Sequence, residues 1–330
     1  MVNSRKEDIL RIEKAGEEEK EMALKGILSL GDAFIDYVAR SSANNCFERN
    51  LGGASVNVAV HISRFGIPSY YITKLGNKED SKFVELEMQK EKINLADAVR
   101  TPTKKISKVF VHLDASGERH FHMYENETPD EVVFETDIKA KSFVNKSIFY
   151  CGSGTLFHPH ARTATKKAIS LAKKKGLIVA FDANIRLKRW ASEEECRQVI
   201  IELLPYVDVL KLSEEELCFL MEVNTVEDGM VILEKFQVPF QLITIGERGA
   251  IGRLSEQKVH IPAKSIRVID TNGSGDAFMA AILFCIHGRG FPHTKEELRD
   301  YIALANKMGA MVATKKGALP NLPNYQTILF

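Results

Sequence analysis

The 330-residue sequence has no surplus of one charge: 45 Lys and Arg stand against 44 Asp and Glu, a formal net charge of +1. Such a balance leaves no electrostatic footprint for DNA, RNA or an anionic membrane surface. Local clusters such as Lys173-Lys174-Lys175 read as a solvated helix face. Cysteine is sparse. Cys46, Cys151, Cys196, Cys218 and Cys285 are scattered without a Cys-x-x-Cys pair, and an odd, dispersed set argues against a disulfide framework and for a reducing compartment. Long hydrophobic runs are missing as well, since the longest apolar stretch, residues 277–286, is far too short to span a bilayer. Residues 1–25 are rich in Glu and Lys and lack the apolar core of a secretory signal. The expectation is a soluble, cytoplasmic protein whose charged N-terminal extension, an exposed helix or a disordered segment, is given no function.

Several catalytic frameworks are absent. There is no GxxxxGK[ST] P-loop and no HRD or DFG triplet, which removes the commonest phosphoryl-transfer frameworks. No Gly-x-Ser-x-Gly elbow occurs, and no GxGxxG follows the first strand-like run, which removes the main support for a dinucleotide dehydrogenase. No internal repeat, low-complexity tract or Pro/Ser-rich linker divides the chain. With 45% apolar and 27% charged residues, it can bury a large core as one α/β domain or two smaller ones.

What is present is a regular alternation. Strand-like runs at 26–30, 70–75, 147–151, 177–181, 207–212 and 241–245 are separated by helical patterns, among them 81–92, 161–175 closed by Gly176, and 193–204 closed by Pro205. Another helix opens after Gly52-Gly53, with Ser55 as its expected cap and Val56, Ala59, Val60 and Ser63 along one face. Strand-helix repetition predicts a mostly parallel sheet covered on both faces, with ligands at the carboxyl ends of its strands. Gly31-Asp32, Asp182-Ala183-Asn184, Ser213 and Gly246 each follow a strand-like run at once. A polar hairpin region at 37–50, and the runs 104–113 and 118–124 joined by Asp114-Ala115-Ser116-Gly117, predict a small extra sheet.

The most informative run is Asp270-Thr271-Asn272-Gly273-Ser274-Gly275-Asp276, a small-residue turn that ends in an acid and leads into an apolar segment. It reads as a helix N-terminus, whose unpaired N–H groups and positive dipole end favour an anion. A lone Asp after Gly is usually a helix-start residue; the complete seven-residue pattern favours chemistry.

Together with Gly52-Gly53-Ala54-Ser55-Val56-Asn57, that run resembles the ribokinase, or PfkB, family of carbohydrate kinases. The resemblance covers about residues 25 to 323 and ends with Lys316-Gly317-Ala318. Gly31-Asp32-Ala33-Phe34-Ile35-Asp36 and Asp182-Ala183-Asn184-Ile185-Arg186 look most like the fructokinase branch, and the aminoimidazole riboside branch is similar. The resemblance implies a ribokinase-like, Rossmann-like α/β domain over 26–330 and a small β lid from about 33–50 and 100–125. It further implies an ATP-dependent sugar kinase, first of all one making fructose 6-phosphate from D-fructose. Kinases of aminoimidazole riboside or 2-keto-3-deoxygluconate, and a non-catalytic sugar or nucleotide sensor, are the rivals.

Carried over by position, Asp276 would be the catalytic base, and the amides of Gly273, Ser274, Gly275 and Asp276 the anion hole; the family usually has Ala where Ser274 stands. Arg186 would hold a phosphoryl oxygen. Asp36, Asp32, Gly52, Gly53 and Asn57 would bind sugar, since carboxylates and amides each hold two hydroxyls and glycines let the ring approach the backbone. Asn184, Ser213, Thr244, Gly246, Gly249 and Asn306 would face the nucleotide. In the family an Asn-x-x-Glu motif organises the Mg²⁺ waters; Glu216 matches it and Ser213 departs from it. Many members use a monovalent cation, which would place potassium near Asp270 and the backbone of residues 314–317. His120 with His122, and His158 with His160, form His-x-His pairs without a Cys or acid at regular ligand spacing, which favours a structural or lid-contact role. A homodimer through exposed lid strands is the remaining expectation.

Overall fold

The computed structural model describes residues 25–114, 119–125, 131–322 and Tyr325; the extension and the turn residues 115–117 lie outside them. Along the first half of the chain come β1 (Gly26–Leu30), β2 (Phe34–Ala39), β3 (Phe47–Gly52), α1 (Ala54–Arg64), β4 (Ser69–Ile72), β5 (Lys74–Leu75), α2 (Glu79–Lys90), β6 (Val99–Arg100), β7 (Ser107–Leu113) and β8 (Arg119–Glu125). The second half holds β9 (Lys146–Gly152), α3 (Pro159–Lys174), β10 (Ile178–Asp182), α4 (Glu193–Ile201), β11 (Val209–Ser213), α5 (Glu214–Met221), α6 (Val226–Leu233), β12 (Phe240–Thr244), β13 (Ala250–Leu254), β14 (Gln257–Ile261), α7 (Ser274–Arg289) and α8 (Lys295–Ala313).

An eight-stranded sheet in the order β14-β13-β12-β11-β10-β9-β1-β4 forms the centre. Its central strands, β1 and β9 to β12, are buried on both faces because short apolar runs with a two-residue period send alternate side chains into opposite layers. Leu28, Phe149, Phe181 and Leu210 enter the layer of α3 to α6, whereas Ile27, Tyr150, Ala180 and Val209 enter the layer of α1, α7 and α8. The residues from Asp276 to Leu283 are all buried, so α7 is apolar around its circumference. A helix of that kind belongs between layers, not at the surface. Among the described residues, no helix is long and apolar enough to cross a membrane.

The smaller sheet has the order β3-β2-β7-β8. Two antiparallel hairpins, β2–β3 and β7–β8, join through a parallel β2–β7 pairing, so both expected hairpins enter one sheet.

Three local expectations are corrected. Ser55 does not cap α1: Gly53 is the N-cap, and the Ser55 hydroxyl meets Tyr71 Oη at 2.7 Å. The expected strand at 70–75 breaks at Thr73 into β4, on the main sheet, and β5, which pairs with β6. The helix expected over 193–204 stops at Ile201, and Pro205 sits in a separate 3-10 turn, Leu204–Tyr206, where its missing N–H breaks no helical bond. The sheet also ends in an antiparallel hairpin, β13–β14, unforeseen in the sequence reading.

Gly249 closes the turn into that hairpin at φ +94°, where a Cβ would lie 2.0 Å from the Ile261 carbonyl oxygen and 2.6 Å from the Ala263 nitrogen. Both the left-handed backbone and the lack of space require glycine. Gly249→Ala should therefore cost about 2–4 kcal/mol. Urea unfolding measures this, and a midpoint unchanged from the parent would refute the constraint.

Candidate active site

The parallel strands point their carboxyl ends at one cavity of about 810 Å³. Gly31 and Asp32 reach it after β1, Ser153 after β9, Asn184 and Arg186 after β10, and Lys211 from β11. Asp36, Val38, Val109 and Val111, one face of the smaller sheet, wall the opposite side. The first turn of α7 completes it with Gly273, Gly275 and Asp276.

Gly273 is the N-cap of α7 at φ +76°, and a Cβ there would lie 2.7 Å from the backbone of Ala318, so the turn and the 316–318 loop pack directly together. The first helical bond runs from Ala277 N–H to the Gly273 carbonyl at 2.9 Å, which leaves the Gly275 and Asp276 amides without an intrahelical acceptor. The Ser274 amide is used locally, donating to the Thr271 carbonyl at 3.2 Å. Of the four expected amides, that of Ser274 is thus occupied, while those of Gly275 and Asp276 stand free at the helix start, where an anion is favoured.

Asp276 is only 8% exposed. Its Oδ2 accepts a hydrogen bond from Asn57 Nδ2 at 2.8 Å. Burial pushes its pKa above the ordinary carboxylate range, while the Asn57 hydrogen bond and the positive charges of Lys211 and Arg186 pull the other way. Asn57 is delivered by α1, which starts where Gly52-Gly53 end β3. Its Oδ1 is buried without a partner, as is the Ser274 hydroxyl.

The other candidates separate into two groups. Asp32, Asp36, Gly53, Asn57, Asn184, Arg186, Gly273, Gly275 and Asp276 line the cavity. Gly52 serves Asp36: a Cβ on it would lie 2.4 Å from Asp36 Oδ2, so the absent side chain makes room for the carboxylate. Asp32 has Lys104 Nζ at 3.9 Å from Oδ1. Ser213, Glu216, Thr244, Gly246, Gly249, Asn306 and Asp270 do not reach the cavity wall.

Ser213 and Glu216 form a capping box for α5, in which Ser213 Oγ accepts the Glu216 amide at 3.2 Å and Glu216 Oε2 accepts the Ser213 amide at 2.8 Å. Glu216 Oε1 accepts the Ile185 amide at 2.7 Å, so this carboxylate fixes the loop that carries Arg186. Thr244 Oγ1 donates to Leu212 and Asn306 Nδ2 to Ile261, both to carbonyls. Asp270 joins its own turn to the loop after α8, accepting Asn272 N at 3.1 Å and Gly317 N at 2.8 Å. Of the histidines, His120 Nε2 lies 3.0 Å from Asp114 Oδ2, and His158 accepts the His160 amide at the start of α3.

Lys211 lines the cavity although the sequence analysis gave it no role, and it forms a buried ion pair with Asp182, which does not reach the wall, with Nζ 2.9 Å from Oδ1 and 3.0 Å from Oδ2. Their signal was present: a lysine inside the apolar run Val209-Leu210-Lys211-Leu212, and an acid closing Ile178-Val179-Ala180-Phe181-Asp182.

The family model described as pfkB family carbohydrate kinase matches residues 24–324. Fructokinase-1 of Oryza sativa subsp. japonica is 30% identical over 310 residues, covering 92% of this chain and 96% of that protein. The crystal structure of the Vibrio cholerae fructokinase in its fructose, ADP and calcium ion bound form superposes with a TM-score of 0.82 at 27% identity, over 93% of this chain and 98% of that one. The Xylella fastidiosa fructokinase with bound ATP gives 0.84 at 27% identity, over 93% and 97%.

A buried acid whose folded pKa is raised binds its proton more tightly in the native state, so the stability it confers falls as pH rises from its unfolded value through its folded one. At pH 7 an ionised Asp276 is therefore a cost. Asp276→Asn should raise Tm at pH 7 by roughly 1–3 °C, on the order of 1 kcal/mol, with the gain vanishing near pH 4. Calorimetry at the two pH values decides this, and a lower Tm for the variant at pH 7 would contradict it.

Proposed function

We propose that this chain, which belongs to the pfkB family of carbohydrate kinases, transfers the γ-phosphoryl group of ATP to D-fructose, giving fructose 6-phosphate. The observation that carries this reading is the placement of Asp276 beside the two unpaired amides of the α7 start, at the cavity into which the strand ends converge. The fructokinase relatives support the choice of sugar.

In this reading the sugar lies between Asp276 and the smaller sheet, which acts as a lid, and Asp32, Asp36, Gly53 and Asn57 hold its hydroxyls. The reacting hydroxyl points at Asp276, which orients it and takes its proton late, as suits a loose phosphoryl-transfer transition state. Charge gathering on the phosphoryl oxygens meets the Gly275 and Asp276 amides and, from the cavity edge, Arg186. Preorganised donors of that kind need no rearrangement at the moment of transfer.

The nucleotide would extend along the strand ends toward Asn184, Ser213, Thr244, Gly246, Gly249 and Asn306. Magnesium supplies charge neutralisation between phosphates when bound. Both Glu216 oxygens accept backbone amides, and each retains a lone pair for a metal-bound water. Potassium would lie near Asp270 and the 314–317 carbonyls. Pairing of two copies through the smaller sheet belongs to the same proposal.

The test is ADP release, with and without Mg²⁺, across D-fructose, aminoimidazole riboside, 2-keto-3-deoxygluconate and other sugars at equal concentration. D-Fructose should give the highest kcat/KM, and preference for another acceptor would overturn the sugar assignment. Asp276→Asn should bind sugar normally and lose about 10²–10⁴ in kcat; near-normal turnover would remove Asp276 from the mechanism.

A further inference from the structure

One buried cation takes no part in the transfer described above. The two-residue period of β11 sends Leu210 and Leu212 toward α3 to α6, and Lys211, with Val209, toward the layer of α7. Asp182 is its registered neighbour on β10. The pair is held by two hydrogen bonds, 2.9 and 3.0 Å, with Lys211 6% and Asp182 1% exposed. A Cβ built on Gly275 would lie 3.2 Å from Lys211 Nζ, so the ammonium sits directly beneath the first turn of α7. It also lines the cavity beside Asp276.

We propose that Lys211 is a positioning residue for phosphoryl transfer: anchored by Asp182, its ammonium fixes a positive charge under the Gly275 amide and against Asp276. This rests on the kinase reading for its chemistry, while the geometry stands without it.

A purely structural ion pair would be balanced by Asp182 alone. Here the same ammonium faces two buried carboxylates, Asp182 and Asp276, and the half-buried Glu216, whose charges raise its pKa although burial lowers it. Lys211 therefore stays protonated. The charged and titratable groups around Asp276 are Lys211 from β11, Asp182 from β10, Arg186 from the loop after it and the Tyr150 phenol from β9, while Glu216 from α5 lies beyond, against Lys211 and Asp182. Of the two cations, Arg186 is exposed and screened by water. Lys211 is buried, and its field reaches Asp276 and the anion cradle with less attenuation. An incoming phosphoryl group would meet two amides backed by a full positive charge.

The test uses Lys211→Met and the double variant Lys211→Met/Asp182→Asn, which removes the pair without leaving a buried carboxylate unmatched. In both, kcat should fall about a hundredfold with KM for the sugar within about threefold, and the acid limb of the kcat–pH profile should move upward by about one unit. The Asp276 carboxylate, followed by ¹³C NMR in the substrate-free protein, should titrate higher in both. Recovery of parental kcat in the double variant, or an Asp276 titration that does not move, would overturn the proposal. Should Lys211→Met fail to fold, the double variant decides alone. If the parent releases no ADP with any sugar, the kinase reading fails, and the NMR titration still decides the role of Lys211.

Discussion

A carboxylate buried where a helix begins stays ionised only if positive charge and hydrogen-bond donors meet it from several sides, and the cleft is arranged around that demand. Asp276 receives an amide hydrogen from Asn57 on α1, the dipole end of its own helix α7, and the field of Lys211 from β11. These come from segments more than sixty residues apart in sequence. The sheet order brings them together: β1, β9, β10 and β11 lie side by side with carboxyl ends on one edge, while α1 and α7 pack against the same face. A different strand order would keep every secondary-structure element and lose the site.

The helix start at Gly273 and the buried acid that follows it were legible because their information is local. Asp270 to Asp276 is one short run, and small residues before an acid have a physical reading as a helix start facing an anion. The parallel sheet was legible for the same reason, since each strand announces itself in five or six residues. Lys211 and Asp182 were not legible as a pair. Their relation depends on the register between β10 and β11 and on which face of the sheet α7 covers, and neither property is written in either strand alone. The break at Thr73 was hidden similarly: 70–75 reads as one strand, and only the competing partners β1 and β6 divide it.

Residues that look like ligand contacts in sequence often carry the scaffold of the contact. Gly52 clears space for the Asp36 carboxylate, Glu216 ties down the loop of Arg186, and Asp270 joins the α7 turn to the loop after α8. Each acts one step behind the cavity wall. A Ser where the family motif has Asn is understandable on this basis, because Ser213 caps α5 through its hydroxyl, and serine is among the residues best suited to an N-cap. The motif position is used by the fold whatever it contributes to a nucleotide.

The same arrangement explains why the cleft is not the most stable packing this sheet could support. Apolar residues at 182 and 211 would fill the space beneath α7 without a desolvation penalty, and replacing a buried ion pair by packed hydrophobic side chains is commonly neutral or stabilising. The Asn57 Oδ1 and Ser274 hydroxyl are buried without partners on top of that cost, each worth about 1–3 kcal/mol. A core of more than eighty buried apolar side chains can carry such a deficit. Stability therefore does not account for the polar floor of the cavity. What it provides is a set of charges and donors fixed before any ligand arrives, which is the condition under which electrostatics lowers a barrier instead of merely tightening binding.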